Sequence, residues 1–420
     1  MSRAFVADGA ALGASALLTA FAGLVGWLVA ARTLEPSEVG HASAFVNGFL
    51  MVAAIAELGL GQAMLRWVPR AGSAAATLVR RVYAATLTAC LVFSLVWALA
   101  TAGVIDKATD PLGTGATTAL FVAAALSWTL FHLQDDVLTS VGAARWVPLE
   151  NVVFGVIRIV LLLVLAGPLG SLGIVLSWVL PMLVCDLLVN AILAARSGRP
   201  AVLDRWLPGR REVLTTAGST FFASIGLTLL YNLVPLVVVA RHGATTGAVF
   251  FVVWMGVVSL DLACVGFGNA LVVRLRGTPL DLLRHALVKV LPLFAVPLVV
   301  AAISASLLLH LFGDVYAEQG TVLLRWVVLG VAFRVVVVLV AAVNLGSGRA
   351  HRMAVLHGVT AAAVIALAAV TPSMGLDDIG IGFVVIQVLL CVVSVLDLAR
   401  TSRRDAALAS APGAHSSALG

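Results

Sequence analysis

The 420 residues are 61% hydrophobic and only 11% charged, with 26 Lys and Arg against 20 Asp and Glu and a mean hydropathy of +1.10. Ordinary soluble domains carry roughly 25% charge, so a water-soluble globular protein is excluded. The basic balance does not make a nucleic-acid binder either, because the arginines fall at the ends of apolar runs instead of along one face. Runs of Leu, Val and Ala this long fit helices, which satisfy every backbone polar group within the segment, better than alternating barrel strands.

A span needs about 20 predominantly apolar residues. That criterion predicts an all-α polytopic membrane protein of about twelve transmembrane helices, at 10–31, 42–64, 80–103, 116–140, 149–166, 171–194, 213–240, 246–273, 284–312, 321–345, 351–370 and 378–399. The first segment is longer than the apolar core of a signal peptide and has no small-residue cleavage site, so it reads as a retained helix. Between the first two spans, Arg32 to His41 holds Arg32, Glu35, Pro36, Glu38 and Gly40. These are the charges and helix breakers that suit a crossing of the headgroup region.

Only Arg32, Lys107, Arg241 and Arg325 fall on one side of this layout, and Arg158, Lys289 and Arg334 lie within segments. The remaining nineteen of the 26 lie on the other side. Positive residues stay inside, which places both termini in the cytoplasm and calls for an even number of spans.

The longest charged connector, Arg196 to Glu212, divides the chain into an N-terminal six-helix lobe (1–207) and a C-terminal six-helix lobe (208–400), followed by a small, polar tail (401–420) read as disordered. Gly40, Gly59, Gly61 and Gln62 match Gly247, Gly266, Gly268 and Asn269 at one offset, and Val141 to Arg145 matches Leu345 to Arg349 at nearly the same one. Six spans per half leave the repeats parallel, related by a pseudo-twofold along the membrane normal, with a cavity expected between the lobes.

An apolar helix ending in A-R-x-L-x-P-x-E-x-G, carried by Ala31, Arg32, Leu34, Pro36, Glu38 and Gly40, leads into E-L-G-L-G-x-A-x-x-R, carried by Glu57, Gly59, Gly61, Ala63 and Arg66. With Leu311 to Trp326 and Ser347 to Arg349, this resembles the polysaccharide and lipid-linked oligosaccharide flippases of the O-antigen translocase type, within the multidrug/oligosaccharidyl-lipid/polysaccharide exporters. The resemblance implies alternating access for a polyprenyl-pyrophosphate-linked oligosaccharide, driven by proton or sodium antiport, in the cytoplasmic membrane of a bacterium. It also implies partners among the polysaccharide polymerase and glycosyltransferases of the same pathway, and no cofactor. In that family cationic residues line the cavity on the first two helices of each lobe; the matching positions here are Arg32, Arg241 and Arg66, none of them central.

Charges inside a span cost about 2.5–3.5 kcal/mol on insertion scales and so mark protein-facing or water-facing positions. Arg158 and Arg334 lie mid-span, and Asn151 shares a helical face with Arg158. Two fates are open to the arginines: binding an anionic headgroup such as pyrophosphate, for which the guanidinium fork is suited, or pairing with an acid such as Asp261 or Glu57. Asp261 is the first candidate for ion coupling and Glu57 the second, with Asp135, Asp136 and Asp397 read as hydrated helix ends. Thr220, Ser224, Thr228 and Tyr231 form a polar stripe joined by Asn232 beside Pro235, where either a substrate path or ordinary helix packing fits.

Cys90, Cys185, Cys264 and Cys391 sit in apolar runs with no metal-ligand spacing, and the eight histidines are scattered. No nucleotide-binding glycine loop and no clustered magnesium-binding acids occur, and the loops are too short for a catalytic domain. A transporter is therefore expected, not an enzyme. A multidrug or cation antiporter of the same superfamily and a non-transporting scaffold in an envelope polysaccharide assembly are the alternatives.

Overall fold

A computed structural model describes residues 22–110, 112–195, 206–272, 277–370 and 375–410, and among them every regular element is helical. The start of the first expected span, the connector from Arg196 to Arg205, Arg274 and Arg276, and the chain beyond Ser410 lie outside the described residues.

The helices are α1 (Ala22–Thr33), α2 (Pro36–Ala56), α3 (Leu60–Ala71), α4 (Ala75–Ala100), α5 (Gly113–Ser140), α6 (Trp146–Leu169), α7 (Ser171–Ala195), α8 (Arg210–His242) and α9 (Ala244–Val272). There follow α10 (Pro279–Ile303), α11 (Asp314–Gly346), α12 (Ala350–Val370) and α13 (Leu376–Ser410). Among the described residues eleven helices are long and apolar enough to cross a membrane, and α1 is a shorter apolar helix. The chain is a multi-pass, all-helical membrane protein.

The predicted spans and the helices differ where local chemistry intervenes. The second span was expected from 42 to 64 without interruption; instead α2 starts at Pro36 and stops at Ala56, and α3 begins at Leu60. Pro36 needs no helical donor at the first position, and the Glu35 N–H is capped by the Glu38 carboxylate at 3.3 Å. The break is made by two left-handed residues, Leu58 at φ 50 and Gly59 at φ 68. α3 then turns amphipathic, burying Leu60, Met64, Trp67 and Val68 while Arg66 and Arg70 stay exposed.

In α8 the segment Leu229–Leu233 is π-helical, directly before Pro235. Proline cannot donate to the preceding turn, and a wide turn absorbs that misfit. The ninth expected span divides into α10 and a short helix, Ala305–His310. α13 runs on to Ser410, so the first part of the tail expected to be disordered from 401 is helical.

The residues form two compact units, one up to Phe251 with 311–313, the other from Val252 to His310 with the chain from Asp314. The division falls inside α9. In the first unit α2 is the buried centre, with Phe45, Phe49 and Ala53 fully covered and α4, α5 and α7 packed around it. In the second, α11 takes that place, packing on α10, α12 and α13. Outer helices keep one apolar face open, as at Val160 and Leu163 of α6 or Val288 and Val296 of α10. Such faces are stable only against lipid tails.

The glycine correspondence between the halves does not extend to backbone shape. Gly59 is a helix break, whereas Gly266 lies within the uninterrupted α9. A Cβ at Gly59 would meet the Thr220 Cβ at 2.5 Å, so the break is also a close-packing point against α8.

Candidate functional site

The two mid-span arginines have opposite surroundings. Arg334 of α11 is 1% exposed and donates through Nη2 to Asp261 Oδ2 at 2.8 Å and through Nε to Asp261 Oδ1 at 3.1 Å. Its Nη1 reaches Thr360 Oγ1 at 3.3 Å. Asp261 of α9 is equally buried. The pairing alternative is the one this arginine adopts, and Asp261, the first candidate for ion coupling, is spent on it. A fork-on-fork geometry satisfies both planar groups at once, which makes such a pair tolerable in an apolar interior.

Arg158 of α6 is 4% exposed and has no carboxylate partner among the described residues. Its guanidinium lies 3.8 Å over the Trp178 ring of α7 and 6.0 Å from the Trp27 ring of α1. Gly26 of α1 completes the slot, since a Cβ there would lie 3.0 Å from Arg158 Nη2. The Arg158 Nε has no hydrogen-bond acceptor. Stacking on a desolvated indole gives about 2 kcal/mol, less than the several kcal/mol that burying a cation costs. Among the described residues no counter-charge neutralises this guanidinium. It stands at the end of an aromatic cluster running through Phe49, Trp128, Phe131, Phe154 and Trp178.

Asn151 does not join Arg158. Its Nδ2 donates to the Val147 carbonyl at 3.0 Å, and its amide meets Asp135 of α5. Arg32 is exposed and donates from Nε to the Leu311 carbonyl at 2.6 Å. It lines an open polar cavity of about 870 Å³ with Glu35, Glu38, His41, Lys107 and Asp110. Arg241 is exposed at the end of α8.

The expected stripe on α8 is mostly turned on its own helix. Ser224 donates to the Thr220 carbonyl at 3.1 Å, and Asn232 donates to the Thr228 carbonyl at 3.0 Å. Thr220 packs on Gly59, and Thr228 and Tyr231 are half-buried. These contacts are those of helix packing.

Glu57 sits in the break between α2 and α3, 3.7 Å from His132 Nδ1 and facing Asp136. Asp397 is a hydrated end as expected, 2.8 Å from Arg352. Asp135 is not: it is half-buried against Asn151 and Glu150. Behind it the structure brings together a polar group that sequence reading did not assemble, made of Ser127 and Gln134 of α5, Glu150 of α6, and Asp186 and Asn190 of α7. Glu150 escaped notice because the fifth span was drawn from 149, which made it a helix end. α6 begins at Trp146 and carries it inside.

No protein-family model and no curated protein matches the chain. Solved structures do. An inward-facing multidrug resistance MATE family transporter of the MOP superfamily aligns over 92% of this chain and 95% of its own, with a TM-score of 0.65 and 16% identity. The lipid II flippase MurJ in an inward closed conformation aligns over 93% and 90%, with a TM-score of 0.66 and 10% identity. A MOP superfamily transporter from Pyrococcus furiosus, described as having a binding pocket of reverse polarity, aligns over 94% and 96%, with a TM-score of 0.60 and 16% identity. The fold is that of the MOP superfamily transporters over nearly the whole chain. At these identities the likeness reaches the fold and stops short of the substrate.

Proposed function

We propose that the chain is an ion-coupled flippase that carries a polyprenyl-pyrophosphate-linked oligosaccharide from the cytoplasmic to the outer leaflet of a bacterial membrane, with both termini cytoplasmic. Arg158 is the observation that carries this reading: a membrane-buried guanidinium with no carboxylate partner among the described residues, presented on an indole face. A fixed fork of donors is the side chain best matched to paired phosphate oxygens. The fold it shares with a lipid II flippase accommodates this reading. The polymerase and glycosyltransferases of a surface polysaccharide pathway are the natural partners for such an activity.

The second reading, export of cationic compounds, is favoured by a different observation. Glu57, Asp135, Asp136, Glu150 and Asp186 all lie in the first unit, and none pairs with a Lys or Arg among the described residues. The deciding experiment is leaflet exposure of a polyprenyl-pyrophosphate oligosaccharide in proteoliposomes, run beside efflux of an organic cation. The proposal expects glycolipid exposure that Arg158→Ala abolishes and Arg334→Lys leaves measurable. Efflux of the cation with no glycolipid exposure transfers the assignment to the second reading.

A further inference from the structure

The polar group on α5, α6 and α7 has more connectivity than helix packing needs. Ser127 and Gln134 are seven residues apart on α5 and share a face, as do Asp186 and Asn190, four apart on α7. Ser127 Oγ donates to Asp186 Oδ2, and Gln134 Nε2 donates to Glu150 Oε1. Asn190 Nδ2 donates to Gln134 Oε1 at 2.8 Å and to the main-chain carbonyl of Asp186, one turn earlier on its own helix, at 2.9 Å, which ties the α7 backbone to Gln134. Glu150 is 6% exposed and Asp186 is 5% exposed. One oxygen of each, Glu150 Oε2 and Asp186 Oδ1, accepts no hydrogen bond.

The groups that face these carboxyls are Tyr83 from α4, Asp135 from α5 and Cys185 from α7. All three are neutral or negative. No Lys or Arg among the described residues pairs with either carboxyl. Leaving two carboxylates bare in an apolar interior costs several kcal/mol each, so a cation or a proton must neutralise them. A metal ion gathers several free oxygens. Gln134 has committed its oxygen to Asn190, and no group of three His, Cys, Asp or Glu able to hold a metal forms among the described residues.

We propose that Glu150 and Asp186 are a two-carboxyl proton-binding site, held together by the Gln134, Asn190 and Ser127 hydrogen bonds that tie α5, α6 and α7. Each proton loaded forms one O–H bond, on Glu150 Oε2 or on Asp186 Oδ1, and breaks one O–H bond of a hydronium ion; nothing is oxidised or reduced. Each carboxylate becomes a neutral acid and can then donate as well as accept. The site stands on the geometry alone, and its role as the coupling site rests on the transport reading above.

The test is infrared difference spectroscopy of the full chain in lipid, titrating pH at constant sodium and then sodium at constant pH. The proposal expects a protonated-carboxyl C=O stretch that grows on acidification and ignores sodium. Glu150→Gln and Asp186→Asn should each remove a component of it, and the double variant both. Asn190→Ala should keep both components but move the Glu150 midpoint, because it frees the Gln134 amide that donates to Glu150. Bands unchanged in both single variants, or a carboxylate signal driven by sodium at fixed pH, overturn the proposal. If Glu150→Gln does not fold, Asp186→Asn decides by itself, since Asn still accepts from Ser127. A proton signal that follows these residues in a protein that exposes no glycolipid and exports no cation leaves the site standing and removes the transport reading.

Discussion

Two arginines lie at mid-span, one in each compact unit, and the fold treats them differently. Arg334 is locked into Asp261 by two donors, with Thr360 on a third. Arg158 rests on tryptophan with its Nε unanswered. A charge the fold has neutralised serves architecture. Arg158 has no such counter-charge among the described residues, at a cost of several kcal/mol. Buried position alone, the property the sequence reveals, does not separate the two cases.

The largest effect that tests this contrast is on Arg334. Replacing it with Ala strands Asp261 in an apolar interior and should cost about 3–5 kcal/mol, read as a large drop in thermal unfolding temperature in nanodiscs. The double change Arg334→Met with Asp261→Leu should recover most of it. Single variants as stable as wild type would refute the structural role.

Next comes the difference between repeats at Gly59 and Gly266. Gly59→Ala forces an L residue into a left-handed turn at about 1–2 kcal/mol and pushes on Thr220 as well. Gly266→Ala meets nothing within 4 Å and should be neutral or slightly stabilising. Equal melting shifts for the two would mean that the break between α2 and α3 is not specified by Gly59.

Arg158→Met should leave the protein at least as stable as wild type, because the desolvation it relieves, several kcal/mol, exceeds the stacking it loses, about 2 kcal/mol. Its glycolipid exposure should nonetheless vanish. An unfolding loss as large as that of Arg334→Ala would make Arg158 architectural too. The smallest effect belongs to Arg352→Ala, which removes an exposed pair with Asp397 and should cost between about 0 and 1 kcal/mol by thermal melt.

The helical, multi-pass fold was legible in the sequence because twenty-residue apolar runs have one solution in lipid. Their interruptions were less so. The apolar run from 42 to 64 gives no hint that Leu58 takes a positive φ, nor that Gly59 beside it packs against Thr220 far along the chain. Arg158, Arg334 and Asp261 were found as isolated intramembrane charges, but which of them pair depends on how helices dock. Glu150 was hidden by a helix boundary a few residues out of place. The Ser127, Gln134 and Asn190 side chains gave no signal, because neutral polar residues in spans are ordinary and only their mutual hydrogen bonds set these apart.

The break after Ala56 also bears on the order of biosynthesis. A single apolar stretch from 42 to 64 can enter the bilayer as one continuous helix, before its later partners exist. Thr220, which fills the space beside Gly59, and Leu236 and Val239, which cover Ala44, all belong to α8. The first unit therefore reaches its final shape only after roughly half the chain has left the ribosome, and α2 and α3 must wait in a provisional form until then.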